Sequence, residues 1–119
     1  MARFSIKARL NSVGDALRGI GHLISQEHNA WIHVVATLCV ISLGYYHAIS
    51  FGDWIALVIA MSMVWLAEGM NTAVELLADA VSQEQNTLIG KAKDVAAGAV
   101  LLAAIGATVI GALVFYPYL

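Results

Sequence analysis

The sequence predicts an all-α membrane protein, a surface helix followed by three transmembrane helices in a bundle. Three observations carry this reading. The 119 residues are 61% hydrophobic and only 12% charged, against about 45–50% and about 25% in soluble domains. Residues 28–52 and 95–119 contain no Asp, Glu, Lys or Arg, and Trp54 to Ala67 forms a third uncharged stretch. The first two, of 25 residues each, exceed the ~20 needed to cross ~30 Å of hydrocarbon; the middle one is shorter and less clean, and its helical pattern continues into Glu68 and Glu75. A soluble domain this small would need far more polar surface. The composition also excludes a disordered chain, a disulfide scaffold and a collagen-like repeat. Cys39 is the only cysteine, and it lies in an apolar run. A net charge of −2 with no basic block argues against a nucleic-acid binder.

The chain reads as one domain, residues 1–119. Its first element is a helix over about residues 4–26. Ile6, Leu10, Val13, Leu17, Ile20 and Ile24 recur three and four apart and form one apolar stripe, with Arg3, Lys7, Asn11, Asp15 and Arg18 to its flanks or back. The stripe is too interrupted to span and predicts a helix lying on the membrane surface. No secretory signal peptide is expected, because the first residues are polar and the first long apolar run is a full span. The spans follow at about 29–49, 52–80 and 90–115. In the last, Ala99, Ala103, Ala107 and Gly111 lie four apart, a spacing of small residues that lets helices approach closely.

Orientation follows from the basic residues. Arg3, Lys7, Arg9 and Arg18 precede the first span, and Lys91 and Lys93 lie between the second and third. By the positive-inside rule the N-terminus and second loop are cytoplasmic, and the first loop and C-terminus are outside. Aromatic belts are expected from Trp31 and Trp65 at the inner interface, and from Tyr45, Tyr46, Trp54, Tyr116 and Tyr118 at the outer one.

The second span carries the chemistry. Glu68, Asn71, Glu75 and Asp79 stay within about 80° of one another on a helix, and Thr72 falls on the same side. Taking Asp53 as the outer boundary, Glu68 lies ~22 Å along the helix, just inside the cytoplasmic edge of the hydrocarbon, and Glu75 lies ~10 Å further on. Carboxylates at this depth are costly unless paired or hydrated. A divalent cation or nearby basic groups such as Lys93 would relieve their repulsion. Mg²⁺ takes oxygen ligands, usually one or two carboxylates plus substrate phosphates. A carboxylate left off the metal could serve as a general base. A solvated helix end is the bland alternative. Lys91, Lys93 and Asp94 are expected to open the third span after a loop from Ser82 to Gly90. There a lysine opposes the helix dipole but could meet a phosphate, or could simply anchor the orientation. Glu27, His28 and His33 lack zinc-like spacing and read as polar lining. No Walker A motif or Rossmann fingerprint is present.

The run Glu68-Gly-Met-Asn71-Thr72-Ala73-Val74-Glu75-Leu-Leu-Ala-Asp79 closely resembles the signature of the prokaryotic diacylglycerol kinase family. That signature is Glu, two residues, Asn, Ser or Thr, a small residue, an aliphatic, Glu, three residues and Asp. Gly90-Lys-Ala-Lys93-Asp94-Val-Ala-Ala-Gly-Ala-Val resembles the family's second block, and Gln26-Glu27-His28-Asn29 with Ile32-His33 resembles the block before its first span. The resemblance implies a homotrimeric kinase of the bacterial inner membrane that moves the γ-phosphoryl group of MgATP onto a lipid alcohol, diacylglycerol or undecaprenol. It implies Glu68 as general base and Asn71 beside the reacting groups. Glu27 and Glu75 would hold Mg²⁺, Lys93 the phosphates, and Asp79 and Asp94 the nucleotide. Arg9 or a neighbouring basic residue would support ATP from the surface helix. The sequence departs from the family pattern at Ala78, at Gln85-Asn86 and at Trp31, positions that bear on adenine recognition more than on phosphoryl transfer. The blocks at Glu27 and Lys93 lean toward the undecaprenol-kinase members. Two other classes fit an acidic stripe. A cation path would continue its carboxylates through the membrane centre, where none lies, and a docking adaptor would need no turnover.

Overall fold

The computed structural model describes residues 3–81 and 84–119. Four helices, α1 (Ile6–Gln26), α2 (His28–Tyr46), α3 (Phe51–Val81) and α4 (Thr87–Phe115), are followed by a short 3₁₀ turn at Tyr116–Tyr118. By length and composition α2, α3 and α4 can each cross a membrane. At 1.5 Å per residue, the 31 residues of α3 extend about 46 Å. That is longer than the hydrocarbon is thick, so one end of α3 has room to project from it.

Local chemistry accounts for the helix boundaries. The Ser5 hydroxyl accepts the Ala8 N–H at 3.3 Å and starts α1. Glu27 alone separates α1 from α2, with an extended backbone at φ −104° and ψ 122°. Its side chain makes no capping bond to α2. The turn from α2 to α3 closes with Ala48 N–H donating to the Tyr45 carbonyl and Ile49 N–H to that of Gly44, both at 3.2 Å. This is the Schellman pattern, which calls for a left-handed residue. Ala48 supplies it at φ 50°, a conformation that costs a residue with a Cβ about 1–2 kcal/mol. Ile49, the next residue, is buried and anchors the turn in the core.

The start of α4 differs from expectation. The Asn86 side-chain oxygen accepts from Leu88 and Ile89 N–H at 2.9 and 3.2 Å, so α4 begins at Thr87, not 90. Ser82, placed at the head of the expected loop, lies outside the described residues. Lys91 and Lys93 are therefore the fifth and seventh residues of α4, beyond the first turn where the dipole acts most strongly. Asn86 holds the helix end, and the expected dipole conflict for the lysines does not arise.

The core sits at the α2–α3 turn. Ile49, Leu57 and Val114 form its centre, with Val40, Trp54, Met61, Ile110 and Phe115 around them. Trp54 stands over Gly44. A Cβ on Gly44 would meet the indole at 2.5 Å, so only glycine allows this approach. The Tyr118 hydroxyl donates to Asp53 at 3.2 Å and ties the C-terminal turn to the start of α3. α3 and α4 form the most extensive helix pair. The small residues of α4 lie along it: Ala99 and Ala103 face Met63 and Ala67, while Ala107 and Gly111 border Leu57 and Val64. Trp65, expected in the inner aromatic belt, also packs between helices. It is half-buried, and its indole N–H donates to the Thr37 hydroxyl of α2 at 3.0 Å, joining two helices. The apolar stripe of α1 remains exposed from Ile6 to Ile24. α1 meets α3 through a different side, where Leu23 lies against Gly69.

Candidate active site

One face of α3 is buried along most of its length. Leu57, Ala60 and Val64 lead into Glu68, Asn71, Thr72 and Ala78. Steps of three and four from Leu57 to Asn71 keep those residues on one side of the helix, with Thr72 and Ala78 at its edges. The chemistry of the face changes at Glu68, from hydrocarbon to carboxylate, amide and hydroxyl.

Glu68 is 1% exposed, the most enclosed charged side chain among the described residues. Its Oε2 lies 3.2 Å from Nε2 of His33 on α2. Asn71 Oδ1 and Thr72 Oγ1 are fully buried and have no hydrogen-bond partner. Leaving a buried polar group unpaired costs about 1–3 kcal/mol, so two adjacent cases mark a face that is not arranged for stability alone. Thr72 borders an open groove of about 500 Å³ between α1 and α3, whose walls, including Gly19, Leu23, Leu66, Gly69 and Ala73, are almost entirely apolar. Asn71 borders a second groove, of about 560 Å³, between α3 and α4, with Lys91 at its rim.

Further along, the stripe opens. Glu75 is half-buried and Asp79 exposed. The Lys93 ammonium lies 3.7 Å from the Asp79 carboxylate, as the expected relief of the acidic face requires. Both side chains are substantially exposed, and such a pair contributes about 1 kcal/mol or less. Together they line a polar cleft of about 800 Å³ with Glu84, Gln85, Asn86 and Thr87. Gln85 and Asn86 thus reach the cleft although they depart from the family pattern, and Asn86 also closes the helix.

The remaining expected residues are less gathered. Glu27 is half-buried at the break between α1 and α2, Asp94 is exposed on α4, and Arg9 is exposed on α1. Among the described residues no three His, Cys, Asp or Glu side chains converge into a metal cage. The stripe does hold oxygen donors suited to a hard cation that is shared with phosphates: the Glu75 carboxylate and the unpartnered Asn71 Oδ1 one turn away.

His33 is the residue whose place the sequence reading missed. A helical hairpin folded about residues 48–50 brings the partner of residue 68 to about residue 30, one turn from His33. That signal is present in the sequence once the turn is located.

The model of the family described as prokaryotic diacylglycerol kinase matches residues 14–115. The undecaprenol kinase of Bacillus subtilis is 32% identical over 102 residues, covering 86% of this chain and 83% of its own length. A diacylglycerol kinase of Synechocystis is 36% identical over 106 residues; the match covers 86% of this chain and 59% of that longer relative. The chain belongs to the prokaryotic diacylglycerol kinase family, a family of lipid kinases. It is therefore a transferase that uses ATP, built on membrane helices.

Proposed function

We propose that this lipid kinase transfers the γ-phosphoryl group of ATP to the hydroxyl of undecaprenol, at the cytoplasmic face of the bacterial inner membrane. The observation that carries the reading is the buried polar cluster of Glu68, Asn71 and Thr72 at the end of an otherwise apolar helix face. The match to the Bacillus undecaprenol kinase, which takes in 83% of that protein against 59% of the Synechocystis enzyme, supports that lipid alcohol. Diacylglycerol is the second reading, favoured by the higher identity to the Synechocystis enzyme.

In this reading the lipid lies against the apolar groove between α1 and α3, with its hydroxyl toward Glu68. The Glu68 carboxylate takes the hydroxyl proton as the lipid oxygen attacks the γ-phosphorus. The bond from that phosphorus to the bridging oxygen breaks, and ADP leaves. Asn71 orients the reacting groups. Lys93 meets the phosphates, while Asp79, Asp94 and Arg9 contact the nucleotide. Glu27 and Glu75 would hold Mg²⁺, which would supply charge neutralisation for the transfer. Chemistry of this kind rests on positioning and electrostatics more than on covalent steps.

The assembly is a homotrimer. Glu75 is only half-buried and Asp79 exposed in the single chain, and large apolar side chains face outward on every helix. A neighbouring subunit would cover the lower stripe, while the chain's own helices enclose Glu68. The N-terminus is cytoplasmic and the C-terminus outside, supported by the six basic residues on one side of the spans.

The test is phosphoryl transfer from labelled ATP and Mg²⁺ by purified protein in mixed micelles, with undecaprenol and diacylglycerol offered side by side. Label in undecaprenol is expected. Label confined to diacylglycerol would replace the first reading with the second, and label in neither would remove both.

A further inference from the structure

We propose that His33 is a positioning residue that holds the Glu68 carboxylate in its reactive orientation. The inference rests on the reading of Glu68 as the general base and assigns a residue to its support. The two groups lie 3.2 Å apart, with side chains 14% and 1% exposed. A general base acts as the carboxylate, which only accepts hydrogen bonds, so this role requires the tautomer with the hydrogen on Nε2, donating to Oε2. With Oε2 engaged, Oε1 is the oxygen left to take the substrate proton. A buried carboxylate without a donor would be strongly destabilised, and His33 is the partner the structure provides.

The imidazole is itself braced. Its ring lies edge-on to Trp65, with centroids 6.0 Å apart and planes at 67°. The indole in turn donates to Thr37 at 3.0 Å. His33 and Thr37 are one turn apart on α2, and Trp65 and Glu68 one turn apart on α3. The four side chains therefore form two adjacent rungs between the helices. The Thr37–Trp65 rung fixes the helix register and backs the ring that holds Glu68. A 1 Å misplacement of a catalytic group can cost about 100-fold in rate, which sets the scale of the effect.

The test compares His33→Gln, His33→Asn and His33→Leu in the micelle assay, with Glu68→Gln alongside. The glutamine amide nitrogen lies as many bonds from Cα as Nε2 does, while the asparagine nitrogen matches Nδ1. His33→Gln is expected to keep kcat within about threefold of the parent, while His33→Asn and His33→Leu lose about 10- to 100-fold with KM for ATP unchanged. If the leucine variant does not fold, the Gln–Asn pair still decides. Equal kcat for those two variants would overturn the inference, as would a loss confined to KM. Activity in Glu68→Gln would instead overturn the assignment of the base. A dead Glu68→Gln with all His33 variants active would sink the positioning role alone.

Discussion

Leu57, Ala60 and Val64 at one end of α3 point the same way as Glu68, Asn71 and Thr72 at the other, and all six are buried. They differ in how well they are satisfied. The first group meets hydrocarbon from α2, α4 and the Ile49 turn. The second includes a carboxylate held by one imidazole and two polar atoms held by nothing. Equal burial thus serves opposite ends. At the turn, it lowers the free energy of the fold. At the far end it carries a penalty that an apolar face would avoid, as expected where function overrides local rules.

If that division is correct, substitutions at the two ends should act on different observables. The largest effect belongs to Glu68→Gln. Removing a general base costs about 10²–10⁴-fold in rate, while the amide keeps the shape of the side chain, so the thermal midpoint should hold. Activity and denaturation on one preparation check this. Leu57→Ala comes next. Leu57 is 2% exposed in the core, and truncation should cost about 2–5 kcal/mol, with kcat per folded molecule preserved. Denaturant titration in detergent would show the loss.

Thr72→Val sharpens the comparison because it preserves volume and removes an unpartnered hydroxyl. Stability should stay level or rise by up to about 1 kcal/mol. A loss of that size would mean the hydroxyl has a stabilising partner, and the contrast between the ends would weaken. The smallest effect is at the turn. Ala48→Gly relieves a left-handed alanine but adds freedom to the unfolded chain, so the net gain should be about 0.5–1 kcal/mol. A higher melting temperature with unchanged kcat would place this position wholly in the folding half.

Much of this was legible in the sequence. The uncharged stretches announce three spanning helices, and the steps from Glu68 to Asp79 announce the polar face. The exact start of α4 was not legible, because a loop and a capped helix share the residues around Asn86 and only the cap bonds separate them. Trp65 looks interfacial by type, and its bond to a hydroxyl on α2 is a pairing that composition does not reveal. The pairing of His33 with Glu68 depends on the register of two helices, which the turn at Ala48 sets and composition does not. Glu27, Asp94 and Arg9 stand apart from the buried cluster, and their roles rest on the family resemblance.

The most direct measurement is kcat and thermal midpoint taken together on Glu68→Gln and Leu57→Ala, purified in parallel with the parent protein. The account predicts a crossed result: Glu68→Gln loses kcat and keeps its midpoint, while Leu57→Ala loses midpoint and keeps its kcat. Parallel loss of both quantities in both variants would contradict it, because the two ends of the α3 face would then form a single structural unit.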